Sequence, residues 1–294
     1  MIPLGNAVGI KLFADGALVI SVNDAESHLK SGDLLLRVNG EKIRSTEFLQ
    51  DYLQENAAAP VTLTLRRDDR IYTCSVTSKR DDTGMYRIGA WVRDSMAGIG
   101  TMTYYDPATG QYGALGHGIT DIDTAALMSL SDGSIMDTAI KAVKRGAAGD
   151  PGELRGDFTV QRDVGTLTAN TAGGVFGILE DPGFVAEDAA ALPIASAAEI
   201  KTGPATILTT VSGDTPRAYQ VEILRLFPGS DTRNMLLQVT DDALLSTTGG
   251  IVQGMSGSPI LQNGHLVGAV THVLVDDPTR GYGIFMENMM HMAN

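Results

Sequence analysis

Apolar and polar positions alternate in short runs along most of this chain, and glycine-rich breaks separate the runs. Alternation over about four to eight residues marks a half-buried strand, because successive side chains leave opposite faces of the backbone. Near the N-terminus, Gly9 to Phe13 and Ala17 to Val22 read as strands joined by a turn at Ala14-Asp15-Gly16, since Asp-Gly is a strong hairpin signal. Ser31-Gly32-Asp33 turns into the apolar run Leu34 to Val38, and Asn39-Gly40 supplies another tight turn. The period changes in "STEFLQDYLQENA", where Phe48, Leu49, Tyr52 and Leu53 recur at helical spacing and Ser45 or Thr46 is placed to cap the first turn. Strand patterning returns at Val61 to Leu65 and Ile71 to Val76. It breaks around Lys79 to Gly84, which divides the chain into an expected unit of residues 1–80 and a second of 85–294.

Beyond that break, short strand candidates alternate with glycine turns: "YRIGAWV", "GIGTMTYYD", "YGALGHGIT", "LRGDFTV", "GVFGIL", "AYQVEIL", "NMLLQVT", "SPILQNG" and "HLVGAVTHVLV". Only "SIMDTAIKAVKRG" and the final "NMMHMAN" suit a helix, and the first suits an extended run equally well. Many short strands predict a mainly β domain built as a barrel, a sandwich or a pair of barrels. The order of elements in the first unit resembles a PDZ domain, and "LKSGDLLLRVNG" is similar to the PDZ domains attached to serine proteases. That resemblance implies a groove in which a peptide tail adds as a strand between Gly9, Ile10, Lys11 and Leu12 and the helix from Ser45 to Asn56. A PDZ-like module that only packs on its neighbour is the plainer alternative.

Composition narrows the partners. Hydrophobic residues make up 43% of the chain and charged residues 19%, the balance of a folded protein. A formal charge of -13 disfavours nucleic acid and polyanionic membrane surfaces, because both are bound by basic residues. No window is long and apolar enough to span a membrane, so a soluble chain is expected, with any targeting segment lying outside it. The single cysteine, Cys74, sits in a strand pattern and reads as a small core residue. Neither an HExxH string nor paired histidines at ligand spacing occur, so no metal or other cofactor is expected.

The candidate chemistry lies in "GGIVQGMSGSPI". Acyl transfer needs a hydroxyl beside a base, and backbone N–H groups free to point at the developing oxyanion. Glycines around Ser256 allow the tight turn that aims such donors, which gives Ser256 the attack and the amides of Gly254 and Ser256 the oxyanion hole. Ser258 is the competing serine. The loop is followed by the strand "PILQ", a turn at Asn263-Gly264 and the strand "LVGAVTHV", an arrangement similar to that around the serine of chymotrypsin-like proteases. By that analogy Gly249, Gly250 and Ile251 wall the primary side-chain pocket, and their lack of charge predicts no strong selection for lysine or arginine.

Five histidines are candidates for the base. His28 lies in the PDZ-like unit, His291 in the terminal segment, and His265 just after a turn. His272 follows the serine and could line the cleft. His117, between glycines in "GALGHGIT" and upstream of the serine, has the chain order that a chymotrypsin-like base requires.

"GALGHGITDIDT", "WVRDSMAGIGTMTYYDP" and "VTDDALLSTTGGIVQGMSGSPILQNGHLVGAVTHVLVDDPTRGYGI", following a PDZ unit, resemble the SpoIVB peptidase family of spore-forming Firmicutes. The resemblance implies a chymotrypsin-like double β-barrel, His117 and Ser256 as base and nucleophile, and Asp241 as the acid that fixes the imidazole. Asp242, Asp121 and Asp123 remain alternatives for that acid. It further implies a signalling endopeptidase secreted from the forespore into the intermembrane space, with membrane contact only through an N-terminal segment outside this sequence. Its protein substrate would be a regulator of an intramembrane protease that activates a late sigma factor, and it would also cleave itself. A PDZ scaffold carrying an inactive protease fold is the competing interpretation, disfavoured by the presence of serine, histidine and aspartates together.

Overall fold

The computed structural model describes residues 1–23, 28–157 and 162–293. Strands dominate it, with short helices α1 (Thr46–Glu55), α2 (Asp242–Thr248) and α3 (Met286–His291). The ambiguous stretch 134–146 is extended, running through the strands Asp132–Asp137 and Ala139–Lys144. The end of the expected strand "LRGDFTV", Phe158-Thr159-Val160, and the last residue of "NMMHMAN" lie outside the described residues.

The chain packs as two compact units, one of Leu12–Met96 with Thr120–Asp132, the other of Met1–Lys11, Ala97–Ile119 and Gly133–Asn294. This differs from a linear division at residues 80 and 85. The pattern break around Lys79 to Gly84 is a hairpin and not a linker, because Lys79 pairs with Arg87 and Arg80 with Tyr86. The strands Ala7–Val22 and Ala90–Tyr105 each belong partly to both units. Asp15-Gly16 accordingly makes no hairpin: the strand Ala7–Val22 runs straight through it. Glycine is needed at 16 for another reason, since a Cβ there would lie 2.4 Å from the Leu35 carbonyl oxygen.

In the first unit, the strands Leu34–Val38, Pro60–Arg67 and Arg70–Thr77 form an antiparallel sheet. Their inward residues Leu35, Val38, Val61, Leu63 and Leu65 pack with Leu49 and Leu53 of α1, which lie one turn apart on a single face. The Ser45 hydroxyl accepts the Phe48 amide at 3.0 Å and so caps α1. Asp33 of the "SGDLLL" turn is fully buried and held by Arg67, Nε to Oδ1 at 2.6 Å and a terminal nitrogen to Oδ2 at 2.7 Å.

The other unit carries the two barrels that the short strands predict. One ring is Ala7–Val22, Ala90–Tyr105, Gln111–Ala114, Gly174–Leu179, Asp163–Thr171 and Asp132–Asp137, closed by pairing of the first two. The second closed barrel runs Gly203–Thr209, Arg217–Leu226, Met235–Val239, Asp277–Phe285, His265–Leu274 and Pro259–Gln262. Its interior is apolar, with Ile207, Ile223, Met235, Leu237, Ile260, Val270 and Phe285 in one cluster.

Removing Arg67 leaves the buried Asp33 carboxylate without its bidentate partner. Arg67→Met is expected to lower the stability of the chain by about 3 kcal/mol, read by urea denaturation.

Candidate active site

The loop from Gly254 to Ser258 is fixed through its carbonyls. Thr101 Oγ1 donates to Gly254 O at 2.8 Å, the Thr101 amide to Ser256 O at 2.9 Å, and Thr103 Oγ1 to Gly257 O at 2.8 Å. Both threonines are fully buried on the Ala90–Tyr105 strand, and their spacing of two puts them on one face. The Leu154 amide holds Gln253 O at 2.8 Å, while the amide and hydroxyl of Ser258 hold Met255 O at 3.0 and 2.7 Å. In a trans peptide the N–H points opposite to the C=O, so these anchors turn the amides of Gly254 and Ser256 the other way. Neither amide donates to any group among the described residues. That leaves both available to an oxyanion.

Glycine at 254 and 257 follows from the same geometry. Both have φ of +97°, and a Cβ at 257 would lie 2.0 Å from Thr101 O and 2.5 Å from Leu115 N. Ser258 is fully buried and spent on Met255 O, which removes it as a nucleophile. Ser256 is partly exposed, and its hydroxyl donates to Thr271 O at 2.6 Å.

His117 stands at the end of the strand Gln111–Ala114, on a turn with positive φ at Leu115 (69°) and Gly116 (67°). Thr101 O accepts the Leu115 amide at 3.2 Å, so the residue that binds the serine loop binds this turn as well. The His117 Nδ1 lies 2.9 Å from Gly118 O. A carbonyl can only accept, so Nδ1 carries the proton and Nε2 is left as the basic nitrogen. Asn170 clamps the next residue, its side-chain oxygen accepting the Ile119 amide at 2.8 Å and its nitrogen donating to Ile119 O at 2.9 Å.

The ring of His117 meets His272, with centroids 4.9 Å apart and planes tilted by 37°. Burial lowers the His117 pKa from its usual 6.5, against a smaller raising effect of the Gly118 carbonyl. The His272 pKa falls to about 4, through burial first and then the nearby His117 and Arg233.

The acid candidates go elsewhere. Asp241 is the N-cap of α2: Oδ1 accepts the amides of Ala243 and Leu244, both at 3.0 Å, and Oδ2 accepts the Gln220 amide at 3.2 Å. Asp242 is exposed on the first turn of α2. Among the described residues no hydrogen bond joins either to His117, whose Nδ1 proton is already placed on Gly118 O. Asp121 and Asp123 belong to the PDZ-like unit, where both pair with Arg93 and Asp121 also caps its own turn through Thr124. The structure therefore does not bring Asp241 to the base. "TDDALLSTTGG" has the pattern of a capped helix, with Asp at the N-cap and Gly249 in the left-handed conformation at the C-cap, and this explains the position of the aspartate.

The expected pocket wall is more tightly packed than an open wall would be. Ile251 is 2% exposed and belongs to the barrel core, and a Cβ at Gly250 would lie 2.1 Å from Pro278 O. The peptide groove also moves. Gly9, Ile10 and Lys11 fall in the barrel unit and Leu12 is fully buried, whereas α1 faces the segment 86–92. Between α1 and that segment lies a cleft of roughly 630 Å³, lined by Leu49, Leu53, Ile88, Ala90, Val92 and the exposed Trp91 among others. Sequence reasoning missed Thr101, Thr103 and Asn170. The only available signal was the alternation of Thr101 and Thr103, which shows a shared face but not what it meets.

Two open amides beside a serine, with a histidine tied to the same buried threonine, are the parts of an acyl-transfer site on paired β-barrels, and the class they define is the chymotrypsin-like serine endopeptidases. The chain belongs to the SpoIVB peptidase S55 family, whose sequence model matches residues 84–290. A PDZ domain model matches residues 25–67. Among solved structures, the active form of the Rv3671c protease from M. tuberculosis is similar at 16% identity, covering 67% of this chain and 73% of that one, with a TM-score of 0.40. The PDZ domain of the SdrC-like protein from Listeria monocytogenes is 25% identical, covering 26% of this chain and 87% of that one, with a TM-score of 0.25. Nothing among curated proteins matches.

Thr101→Val keeps the shape but leaves Gly254 O unpaired, a loss of about 1–3 kcal/mol for a buried acceptor. Expected is a fall in kcat of about tenfold or more on a fluorogenic peptide, with Thr101→Ser close to wild type. A base must be neutral to act, and burial lowers the His117 pKa, so the enzyme keeps its competent form to lower pH. The acid limb of kcat/KM is expected below pH 6.5, and a pH–rate profile checks it.

Proposed function

We propose that this chain is a signalling endopeptidase of sporulation that acts through a Ser256–His117 dyad. The observation that carries the proposal is the pair of open amides at Gly254 and Ser256, each turned outward by an anchored carbonyl. The Ser256 hydroxyl exchanges its bond to Thr271 O for one to His117 Nε2, a substitution of one hydrogen bond for another at little net cost. His117 takes the proton as the serine oxygen attacks the scissile carbonyl. The oxyanion falls to the two amides, worth roughly 3 to 4 kcal/mol each in such sites. His117 then protonates the leaving amine, and water repeats the sequence to release the acyl group.

The backbone carbonyl of Gly118 takes over one task of an acid, fixing the tautomer, but it supplies no negative charge to stabilise the imidazolium. A modest turnover follows, suited to a few cuts in a regulator and in the enzyme itself. Family membership supports the narrower parts of the proposal: secretion from the forespore, and a protein substrate that controls an intramembrane protease. The cleft between α1 and segment 86–92 would take a peptide tail of that substrate or of the enzyme, by strand addition along 88–92.

A fluorophosphonate probe tests the chemistry. Wild type is expected to label, Ser256→Ala and His117→Ala to lose the label, and Asp241→Asn, which keeps the capping oxygen, to retain it. A folded wild type that does not label would refute the dyad.

A further inference from the structure

His272 has no part in the steps above, yet three observations centre on it. Its ring lies against the base, centroids 4.9 Å apart. Its Nδ1 is buried and has no hydrogen-bond partner among the described residues. It follows Thr271, whose carbonyl holds the Ser256 hydroxyl. A buried nitrogen without a partner is destabilising, so a purely apolar ring would be the more stable choice at this position. A linear N–H···N hydrogen bond of about 2.9 Å between two imidazoles places their centroids about 5 Å apart once both ring radii are added. The two rings stand at that separation with their planes tilted by 37°, while His117 Nδ1 is bonded to Gly118 O.

We propose that His272 is the positioning residue of the base: when His117 holds the Ser256 proton, its Nδ1–H turns from the Gly118 carbonyl to the unpaired Nδ1 of His272. This rests on His117 acting as the base. No proton passes to His272. Its own proton stays on Nε2, its Nδ1 lone pair accepts, and the bond is released when His117 gives its other proton to the leaving amine. The titratable and charged groups that act on His272 are His117, from the turn after Gln111–Ala114, and Arg233, from the segment before Met235–Val239. Burial first, then His117 and Arg233, disfavour charge on His272, which keeps it neutral at neutral pH. A neutral imidazole here takes the place that a carboxylate holds in a Ser-His-Asp triad, and Asp241 stays on α2.

His272→Phe keeps the ring and removes the acceptor. On a fluorogenic peptide, kcat is expected to fall about a hundredfold with KM changed less than about threefold. The acid limb of kcat is expected to move to lower pH, because an imidazolium without its acceptor releases its proton more readily. The melting temperature should equal or exceed that of wild type, since the unpaired nitrogen is gone. Should that variant fail to fold, His272→Gln against His272→Met decides on the same readouts, with only glutamine retaining kcat. A His272→Phe enzyme with kcat and acid limb both unchanged overturns the proposal. If His117→Ala is inactive in that same assay, the dyad survives and only the role of His272 is lost; a fully active His117→Ala removes both.

Discussion

One buried threonine ties the two halves of the site together. Thr101 spends its amide on Ser256 O, its hydroxyl on Gly254 O and its carbonyl on the Leu115 amide, and it does so from a strand of one barrel while the serine loop leads into a strand of the other. The contact is close enough that residue 257 must be glycine, since any Cβ would overlap both Thr101 O and the Leu115 backbone. Serine loop and histidine turn are thus held by a common backbone point, and the amides of Gly254 and Ser256 face outward because their neighbouring carbonyls are already taken. Preorganised donors of this kind cost nothing to reorient at the moment of reaction, which is why such anchoring matters more to rate than to stability.

The electrostatics around the base are those of a neutral, desolvated group. Burial lowers the pKa of both His117 and His272, and no carboxylate is bonded to either among the described residues. The tautomer of His117 is set by a main-chain carbonyl, and Asp241, the aspartate that the family resemblance assigns to the base, organises α2 instead. That helix ends at Gly249, where the chain turns into the serine loop, so the cap contributes to the site indirectly through the entry of the loop.

Much of this is legible in the sequence as local pattern. Alternation and glycine breaks give the mainly β architecture, the Ser45 cap and helical spacing give α1, and the glycines around Ser256 mark the loop. Long-range contacts account for what was not legible. Asp15-Gly16 has the composition of a hairpin, yet Leu35 O approaches Gly16 and the strand continues. The segment 120–132 packs with the PDZ-like unit because Arg93 binds Asp121 and the Ser131 amide reaches Phe13 O, pairings that no local pattern encodes. Thr101 and Thr103 look like ordinary strand residues until the loop they hold is in place, and Asn170 looks like any polar strand end until Ile119 is clamped against it. Asp241 shows the converse. A cap and a catalytic acid use the same side chain, and only the bonds it makes tell them apart.

The most direct measurement is a crystal structure of the enzyme phosphonylated at Ser256. A phosphonyl oxygen about 2.7–3.1 Å from the amides of both Gly254 and Ser256, with Thr101 still on Gly254 O and Ser256 O, is the expected result. An oxygen turned to solvent, or a loop that leaves Thr101 on forming the adduct, would contradict it.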